Sequence, residues 1–442
     1  MIPGLIIAAP ASDSGKTLVT LALLRLLARE GRRVAPCKAG PDYIDPAFHA
    51  AAAGRASVNL DPWAMRPATI ASLLADLAGD ADLILCEGVM GLFDGTAGGA
   101  GSTADLAALT GWPVVLVVDA AGQAASAAAL LRGFASHRRA VKVAGVLFNR
   151  TGGPRHGDML RAAVADDLAD LEPIAVLGCL PKDAALAMPK RHLGLVQAAE
   201  RADLTALLNR AADWLADHVD LDALVALARP GRIAAAGAAP GPALPPLGQR
   251  IAVADDLAFG FCYPAVLDGW RAAGAEVMPF SPLTGDEPDP AADAVYLPGG
   301  YPELHAGRLA ANDAFLNGLR AADKRGAAIF GECGGYMVLG EGLVDEDGAR
   351  HALAGLLPLE TSFAEPKLSL GYRHAAVRTA GPFDGAVTAF RGHEFHYAVT
   401  LREGPGDALF DCADAAGRSV GPRGLVAGRV AGSFVHLIDR AA

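Results

Sequence analysis

Aromatic residues, cysteines and excess positive charge are all scarce in this sequence. The six cysteines form no CxxC pair and have no short spacing to histidine, so we expect neither a disulfide framework nor a zinc site. The formal net charge of −11 disfavours a nucleic-acid-binding surface, which needs clustered Lys and Arg. No basic segment precedes the short apolar run at the amino terminus, so we expect no signal peptide, no membrane anchor and a cytoplasmic location.

The chain is long enough, and has enough hydrophobic residues, to form two folded domains. It has 442 residues, of which 52% are hydrophobic and 20% charged, a balance typical of globular α/β proteins. From residue 1 to 228, short apolar segments alternate with amphipathic ones, which predicts a parallel sheet with helices on both faces. Residues 229–249 are rich in Pro, Gly and Ala and predict a linker. A second α/β alternation with a strand-rich end then predicts another domain over 250–442.

The first candidate site is a phosphate-binding loop between the first predicted strand and helix. The segment ASDSGKT follows apolar LIIAAP and precedes amphipathic LVTLALLRLLARE, the context in which Gly-Lys-Thr predicts a nucleotide site. Backbone N–H groups at the start of the helix would surround a phosphate, and the lysine would neutralise its oxygens. Pro10 replaces the usual first glycine, so the motif is a variant, and the alternative is an ordinary strand-to-helix turn. The predicted nucleotide-binding residues of this loop are Ser12, Asp13, Ser14, Gly15, Lys16 and Thr17.

Four carboxylates follow neighbouring predicted strands of the same domain. Glu87 ends the strand DLILCE. Asp42 and Asp45 lie in KAGPDYIDP, and Asp94 lies in EGVMGLFDG. The carboxyl ends of parallel strands share one edge of a sheet, where these oxygens and the Thr17 hydroxyl are suited to Mg²⁺. The alternative, which is serious for Asp42 and Asp94, is a helix cap or a solvated loop charge.

Asn149 is a further candidate for nucleotide binding. It ends the predicted strand VAGVLFN, at the edge of the sheet that carries the phosphate loop. Its amide has the donor and acceptor needed to read an adenine base, although Asn at a strand end is also a common turn former.

The second candidate site centres on Cys333. The segment AAIFGECGGYM predicts a strand, a cysteine and a helix, and the spacing Gly331-x-Cys333-x-Gly335 is typical of a nucleophile elbow. Small flanking residues permit the strained turn that lifts such a side chain out of the sheet. We expect the start of the helix to make the thiol more acidic. The alternative is an inert core cysteine, which would not need glycines on both sides.

A thiol nucleophile needs a general base and a site that stabilises an oxyanion. Three histidines compete for the role of base, because periodicity alone does not choose among them: His436 in GSFVHLID, and His393 and His396 in RGHEFHY. The turn PGGYPE, residues 298–303, follows the predicted strand DAVYL. The candidate oxyanion donors are the backbone N–H groups of Gly300, Tyr301 and Gly334.

The motifs, taken in the order in which they occur along the chain, resemble those of the cobyrinic acid a,c-diamide synthase family of cobalamin synthesis. The resemblance covers nearly the whole chain, and KAGPDYIDP and EGVMGLFDG are its most specific parts. The other matching segments are ASDSGKT, NLDP at 59–62, RHLGL at 191–195, PGGYPE, GECGGYM, GHEFHY and GSFVHL. The resemblance implies a dethiobiotin synthetase-like P-loop domain followed by a class I (triad-type) glutamine amidotransferase domain.

The resemblance also implies a reaction and its participants. ATP would convert the a and c acetate carboxylates of hydrogenobyrinic or cobyrinic acid to acyl phosphates, and ammonia from glutamine would then form the amides. The roles implied by motif position are Cys333 as nucleophile, His436 as base, His393 beside glutamine, Thr17, Asp45 and Glu87 at Mg²⁺ or phosphate, and Asp42 and Asp94 at substrate or intermediate.

Several alternatives stay open at this point. Cobyric acid synthase and nickel-sirohydrochlorin a,c-diamide synthase share both domain types, and a nucleotide-dependent switch would need only the first. Class I domains commonly carry a Glu two residues after the catalytic histidine, where this chain has Ile438. Either Asp439 or Glu394 supplies the third member of the triad, or the site works as a Cys–His dyad. Neither the metal state of the macrocycle nor the oligomeric state, with a homodimer as one alternative, follows from the sequence.

Overall fold

The structure is a computed structural model that describes residues 2–188, 190–191, 194–233, 241–383, 385 and 387–441. The chain forms two compact units, one made of Met1–Trp63 and Ile70–Ala239 and the other of Ala64–Thr69 and Pro240–Ala442. The middle of the predicted linker and part of the RHLGL segment lie outside the described residues. The two α/β units confirm the predicted fold class.

The first unit is built around one mainly parallel sheet. Its strands are β1 (Pro3–Ala8), β2 (Val34–Ala39), β3 (Val58–Leu60), β4 (Leu83–Glu87), β5 (Val114–Asp119), β6 (Val143–Thr151), β7 (Ala175–Pro181), β8 (Lys190–Arg191), β9 (Gly194–Leu195) and β10 (Arg229–Pro230). Its helices are α1 (Lys16–Arg29), α2 (Asp45–Ala53), α3 (Pro67–Ala78), α4 (Thr103–Thr110), α5 (Ser126–Ser136), α6 (Pro154–Asp167), α7 (Leu204–Ala216) and α8 (Leu221–Leu227).

The strand order β3-β2-β4-β1-β5-β6-β7 places the loops after β1, β2 and β4 at one edge of this sheet. β1 pairs in parallel with both β4 and β5, and its residues Leu5–Ala8 are completely or almost completely buried. Burial on both faces explains why these strands read as continuous apolar runs rather than as alternating ones. The phosphate loop and both carboxylate-bearing motifs therefore meet at the carboxyl edge.

The second unit contains a larger mixed sheet of ten strands and a separate sheet of four short strands. Its strands are β11 (Arg250–Ala254), β12 (Glu276–Phe280), β13 (Ala294–Leu297), β14 (Ala328–Glu332), β15 (Gly342–Val344), β16 (Arg350–Ala352), β17 (Leu359–Ser362), β18 (Ser369–Val377), β19 (Ala389–His396), β20 (Val399–Glu403), β21 (Asp407–Ala413), β22 (Ser419–Ala427), β23 (Val430–Ser433) and β24 (Val435–Arg440). Its helices are α9 (Pro264–Ala272), α10 (Ala306–Ala311), α11 (Asp313–Lys324) and α12 (Gly334–Leu339).

The order of the large sheet is β12-β11-β13-β14-β23-β22-β21-β18-β19-β24. The strands β12, β11, β13, β14 and β23 pair in parallel, and the remaining pairs are antiparallel. The carboxyl ends of β13 and β14 therefore lie side by side, and they lead into the PGGYPE turn and Cys333 respectively.

Three local features differ from the sequence interpretation. The short strand β3 was not predicted, because three residues are too few to show a period. Arg229 and Pro230 belong to the predicted linker, but they form β10 and pair with β1. Ala64–Thr69 lies within the predicted first domain, yet it belongs to the second compact unit. Over the described residues, no helix has both the length and the apolar character to cross a membrane.

Candidate functional sites

The phosphate loop, residues 10–15, connects β1 to α1 at the carboxyl edge of the first sheet. Ser12 and Asp13 are exposed at its tip, and Ser14 is buried. Asp13 and Gly15 have φ angles of 64° and 90°, so the chain turns sharply before the helix. Among the described residues no side chain caps the start of α1, so its first N–H groups are placed to receive an anion.

Glu87, at the end of β4, is the centre of a buried ionic cluster at the same edge. Its Oε1 atom accepts a hydrogen bond of 2.7 Å from the Thr17 hydroxyl and lies 3.5 Å from Nζ of Lys16. Nζ of Lys38 donates to the same oxygen at 3.0 Å. The other carboxylate oxygen, Oε2, lies 2.6 Å from Nε2 of His49. The cluster joins three predicted residues to Lys38 and His49, which were not among the predicted site residues.

Asp45 enters this cluster through Lys38, whose Nζ pairs with an Asp45 carboxylate oxygen. Burial raises the pKa of Asp45 to about 6, and the nearby Asp42 carboxylate adds to the rise. Lys38 thus supplies part of the positive charge that offsets the carboxylates at this edge. The signal for it was present, since Lys38 belongs to the specific motif KAGPDYIDP and lies in β2 near its carboxyl end.

The charges in this cluster shift one another's pKa values. Burial by itself would raise the pKa of Glu87, but Lys38 and Lys16 hold it well below its usual range. Burial would lower the pKa of Lys38, yet the Asp45 and Glu87 carboxylates raise it instead. Burial lowers the pKa of Lys16, and repulsion by Lys38 adds to this effect. A bound polyphosphate would favour the charged form of Lys16, so the cluster is suited to such a ligand.

The two carboxylates expected near the substrate make local contacts. Oδ1 of Asp42 accepts hydrogen bonds from the N–H groups of Ile44 at 2.7 Å and Asp45 at 2.9 Å. Asp94 is exposed, and its Oδ2 accepts a hydrogen bond of 3.0 Å from the N–H group of Gly91. These are the turn and cap contacts of the alternative interpretation. The roles of Asp42 and Asp94 toward a substrate stay predictions.

A cavity of about 450 Å³ lies beside the phosphate loop, a volume suited to a small ligand. It is lined by loop residues, by Asn149 and Arg150 in β6, and by much of 181–188. The Asn149 amide donates to the Ser14 carbonyl at 2.9 Å and accepts from the Arg150 N–H at 2.9 Å. A Cβ atom on Gly15 would lie 2.1 Å from the Asn149 amide nitrogen. Asn149 therefore holds the loop, and its role in reading adenine stays a prediction.

Cys333 occupies a strained turn between β14 and α12. Its φ angle is 45°, a conformation that is costly for a residue with a side chain. Its thiol lies 4.0 Å from the carbonyl oxygen of Phe395. A Cβ atom on Gly331 would lie 2.7 Å from the carbonyl carbon of Gly335, and one on Gly335 would lie 1.9 Å from the Leu297 carbonyl oxygen. A strand that ends at a strained cysteine flanked by obligatory glycines is typical of a nucleophile elbow.

The prediction that the helix start makes this thiol more acidic is wrong. Cys333 is 3% exposed. Burial raises its pKa, and the Glu303 carboxylate adds to the rise. The N–H group of Gly334, at the start of α12, lowers the pKa, but the effect of burial is larger. At rest the nucleophile is a neutral thiol, so its reaction requires a base.

His436, in β24, pairs across the sheet with His393 in β19. Their rings are stacked, with centroids 4.9 Å apart and an interplanar angle of 15°. Nε2 of His393 lies 2.9 Å from the hydroxyl of Tyr263. β19 lies between β18 and β24, so His393 does not occupy a sheet edge. His396, the third candidate base, stacks instead on Phe434 with centroids 4.0 Å apart.

Burial also sets the protonation state of these histidines. It lowers the pKa of His436 well below the usual range, and His393 adds to the decrease. It lowers the pKa of His393 to about 3. Both imidazoles are therefore neutral near pH 7, and a neutral imidazole can accept a proton from a thiol.

The PGGYPE turn follows β13 and lies close to His436 and to Gly334, the residue after Cys333. A Cβ atom on Gly299 would lie 2.3 Å from Cε1 of His436. The backbone nitrogen of Gly300 lies 3.1 Å from the place that a Cβ atom on Gly334 would take. Tyr301, the other predicted donor, is buried. The structure thus brings the turn, the elbow and the histidine to one place, while the assignment of oxyanion donors stays a prediction.

Both carboxylates suggested as the third member of a triad are bound elsewhere in the second unit. Asp439 accepts hydrogen bonds from the Arg66 N–H at 2.8 Å and the Thr69 hydroxyl at 2.7 Å, and it also pairs with the Arg66 guanidinium. Glu394 pairs with Arg373 and with a second arginine. No sequence signal predicts the contact with Arg66, which lies 373 positions from Asp439.

Known proteins resemble this chain over its full length. Residues 5–196 match the CobQ/CobB/MinD/ParA nucleotide binding domain, and residues 250–441 match the CobB/CobQ-like glutamine amidotransferase domain. The hydrogenobyrinate a,c-diamide synthase of Brucella anthropi is 54% identical over 440 residues, which cover 99% of this chain and 98% of the relative. Relatives of the same name from Sinorhizobium sp and Rhizobium meliloti are also 54% identical. They cover 99% of this chain and 98% and 99% of their own lengths.

Proposed function

Because the chain belongs to the hydrogenobyrinate a,c-diamide synthase family, we propose that it uses ATP and glutamine to amidate the a and c acetate carboxylates of hydrogenobyrinic acid. The observation that carries this proposal is the presence of two different sites in one chain. One is a cationic phosphate loop, and the other is a cysteine elbow packed near a neutral histidine. A nucleotide-dependent switch would have no use for the elbow.

The second unit releases ammonia from glutamine. The Cys333 sulfur attacks the side-chain amide carbon, and His436 takes the thiol proton. The N–H groups around the 298–303 turn and Gly334 stabilise the oxyanion that forms. When the C–N bond breaks, the proton on His436 passes to the leaving nitrogen, and ammonia and a thioester result. Water then hydrolyses the thioester and regenerates the thiol.

The first unit makes the substrate carboxylate reactive. A carboxylate oxygen attacks the γ-phosphorus of ATP, ADP leaves, and an acyl phosphate forms. Ammonia then attacks the carbonyl carbon, and inorganic phosphate departs as the amide forms. Lys16 and the buried Lys38 are the cations placed to offset the charge of phosphate and carboxylate as they approach each other.

Magnesium fits the oxygen atoms at this site. The Thr17 hydroxyl and a Glu87 carboxylate oxygen are 2.7 Å apart, and both are hard ligands of the kind that Mg²⁺ combines with phosphate oxygens. Asp45 is the third predicted ligand, and its present partner is Lys38. When bound, the ion neutralises phosphate charge.

The test of this function is an assay of purified protein with ATP, glutamine and either hydrogenobyrinic or cobyrinic acid. We expect the cobalt-free acid to gain two amides, counted by mass, with consumption of ATP. The relatives carry the name of that substrate, which is why it is preferred. Amidation of four other side chains, or of neither macrocycle, would contradict the proposal.

A further inference from the structure

Glu332 is a buried carboxyl group whose position suggests a role in the glutaminase site. It is the last residue of β14, directly before the nucleophile, and it is 1% exposed. Its Oε1 accepts a hydrogen bond of 3.0 Å from the N–H group of Leu437. Its Oε2 accepts one of 2.8 Å from the hydroxyl of Tyr296. Glu332 thus links the strand of the nucleophile to the strand of the histidine.

The same Oε2 atom lies 3.9 Å from Nδ1 of His436, and both side chains are almost completely buried. Within the described part of the chain, no arginine or lysine forms an ion pair with Glu332. Asp439 and Glu394, in contrast, are neutralised by arginines. Glu332 is therefore the carboxylate whose charge is available to the imidazole.

We propose that Glu332 is a positioning residue for His436 and replaces the carboxylate that Ile438 does not supply. The proposal rests on the proposed function, because it concerns the glutamine-hydrolysing half of that reaction. The thiol proton moves from Sγ of Cys333 to Nε2 of His436, and the resulting imidazolium keeps its Nδ1–H toward Oε2 of Glu332. The carboxylate accepts no proton; it fixes the ring orientation and stabilises the positive charge until the proton passes to the leaving amide nitrogen, which departs as ammonia.

The buried setting makes this interaction effective. Two charges that attract at this distance do so more strongly in a buried site than in water. The hydrogen bonds from Leu437 and Tyr296 hold the carboxylate in place, and a fixed group costs no reorganisation when the imidazolium forms. The glutaminase thus differs from the usual class I pattern in the origin of its carboxylate and not in the chemistry.

The interaction predicts a pH dependence for glutamine hydrolysis. Burial raises the pKa of Glu332 to about 8. The titratable groups that face it are the Tyr296 hydroxyl, the thiols of Cys262 and Cys333, and the His436 imidazole. Burial raises the pKa of the hydroxyl and of both thiols, and lowers that of the imidazole. Since the ionised carboxylate is the active form, kcat/KM for glutamine should rise with pH and level off above about 8.

The variant Glu332→Gln tests the proposal, because glutamine preserves the shape and can still accept from the Leu437 N–H group. We expect kcat for glutamine hydrolysis to fall by about 10²-fold with little change in KM, and the rise toward pH 8 to disappear. Glu332→Asp should recover part of the activity together with the pH dependence. The control is Glu360→Gln, which changes a carboxylate of β17 that pairs with Arg350 and should alter kcat less than about threefold.

Two results separate this proposal from its alternatives. A Glu332→Gln enzyme with unchanged kcat and an unchanged pH profile would overturn it. If that variant does not fold, Tyr296→Phe can be used instead, because it removes one hydrogen bond to the Glu332 carboxylate. It should move the midpoint of the pH profile upward. An unmoved midpoint would also overturn the proposal. Glutamine hydrolysis is measured without macrocycle, so a failure of the proposed function, seen as no amidation by the wild-type enzyme, is a distinct outcome.

Discussion

At the residue scale, the ligase site is a problem of charge balance around Glu87. This carboxylate is completely buried, which is tolerated only because Lys16, Lys38 and His49 surround it. Removing one partner from such a cluster costs about 3–5 kcal/mol when it leaves a buried charge unpaired. Substitutions inside the cluster therefore combine effects on stability and on catalysis.

Lys16 offers the cleanest test of the phosphate site, because the other partners of Glu87 remain when it is removed. We expect Lys16→Ala to lower amidation by at least about 10²-fold with either glutamine or ammonium as the nitrogen source, since the γ-phosphate loses a buried cation. Glutamine hydrolysis should continue, measured as glutamate formed. The control is Lys142→Ala, which removes an exposed lysine that pairs with Glu172. Full ATP-dependent amidation by the Lys16 variant would refute the phosphate-site model.

The residues found from the sequence were those that belong to recognisable motifs. Cys333 is the example, because its flanking glycines mark an elbow. Lys38 lies within a recognised motif but was not predicted, since only the oxygen-bearing side chains of that motif suit Mg²⁺. Glu332 was not selected because a carboxylate beside a nucleophile has no pattern of its own, and its distance to His436 depends on strand register. The contact of Asp439, one of the open alternatives for the third member, with Arg66 could not be predicted because the two residues are remote in sequence.

At the element scale, both sites occur where a parallel strand turns into a helix. The turn after β1 presents N–H groups of α1, and the turn after β14 presents a side chain. The backbone differs as well: Gly15 has a positive φ angle at the first turn, whereas at the second turn Cys333 itself has one. A strained cysteine is held there by packing around its two flanking glycines.

The elbow geometry can be tested with Gly335→Ala. The new methyl group would lie 1.9 Å from the Leu297 carbonyl oxygen, so β13 and α12 must move apart. We expect a loss of about 1–3 kcal/mol in unfolding free energy and a large loss of glutamine hydrolysis. Gly133→Ala is the matched control, because Gly133 is also helical but, outside its own helix and chain neighbours, no described atom lies within 4 Å of the added methyl group. That variant should be stabilised by about 0.5–1 kcal/mol, and equal behaviour of the two variants in urea unfolding would contradict the account.

Most elements of the parallel sheets could be predicted, because a strand buried on both faces is a continuous apolar run. The exceptions have physical reasons. β3 has three residues, and β10 contains Pro230 within a Pro-, Gly- and Ala-rich segment that resembles a linker. The pairing of β10 with β1 joins residues more than two hundred positions apart, which no local pattern reveals.

At the scale of the whole molecule, two chemical problems are divided between two units. A carboxylate is unreactive toward ammonia until phosphate makes it an electrophile, and free ammonia is mostly protonated at neutral pH. One unit has a cavity beside a cationic loop, and the other has a buried thiol and neutral histidines. The family relatives match across 99% of this chain, so the resemblance extends to both units together.

The segment Ala64–Thr69 shows why the domain organisation was only partly predictable. It follows NLDP in sequence and was assigned to the first domain, but Arg66 and Thr69 bind Asp439 within the second unit. A boundary placed from composition alone divides the chain once. The structure divides it three times, since the first unit continues on both sides of this segment.

The most direct test of this division is the nitrogen source used by Cys333→Ala. We expect the variant to form no amide with glutamine and to retain ATP-dependent amidation of hydrogenobyrinic acid with a high concentration of ammonium salt, measured by product mass. Retained activity with glutamine, or loss of both activities in a folded variant, would contradict the assignment of separate ammonia-producing and carboxylate-activating sites.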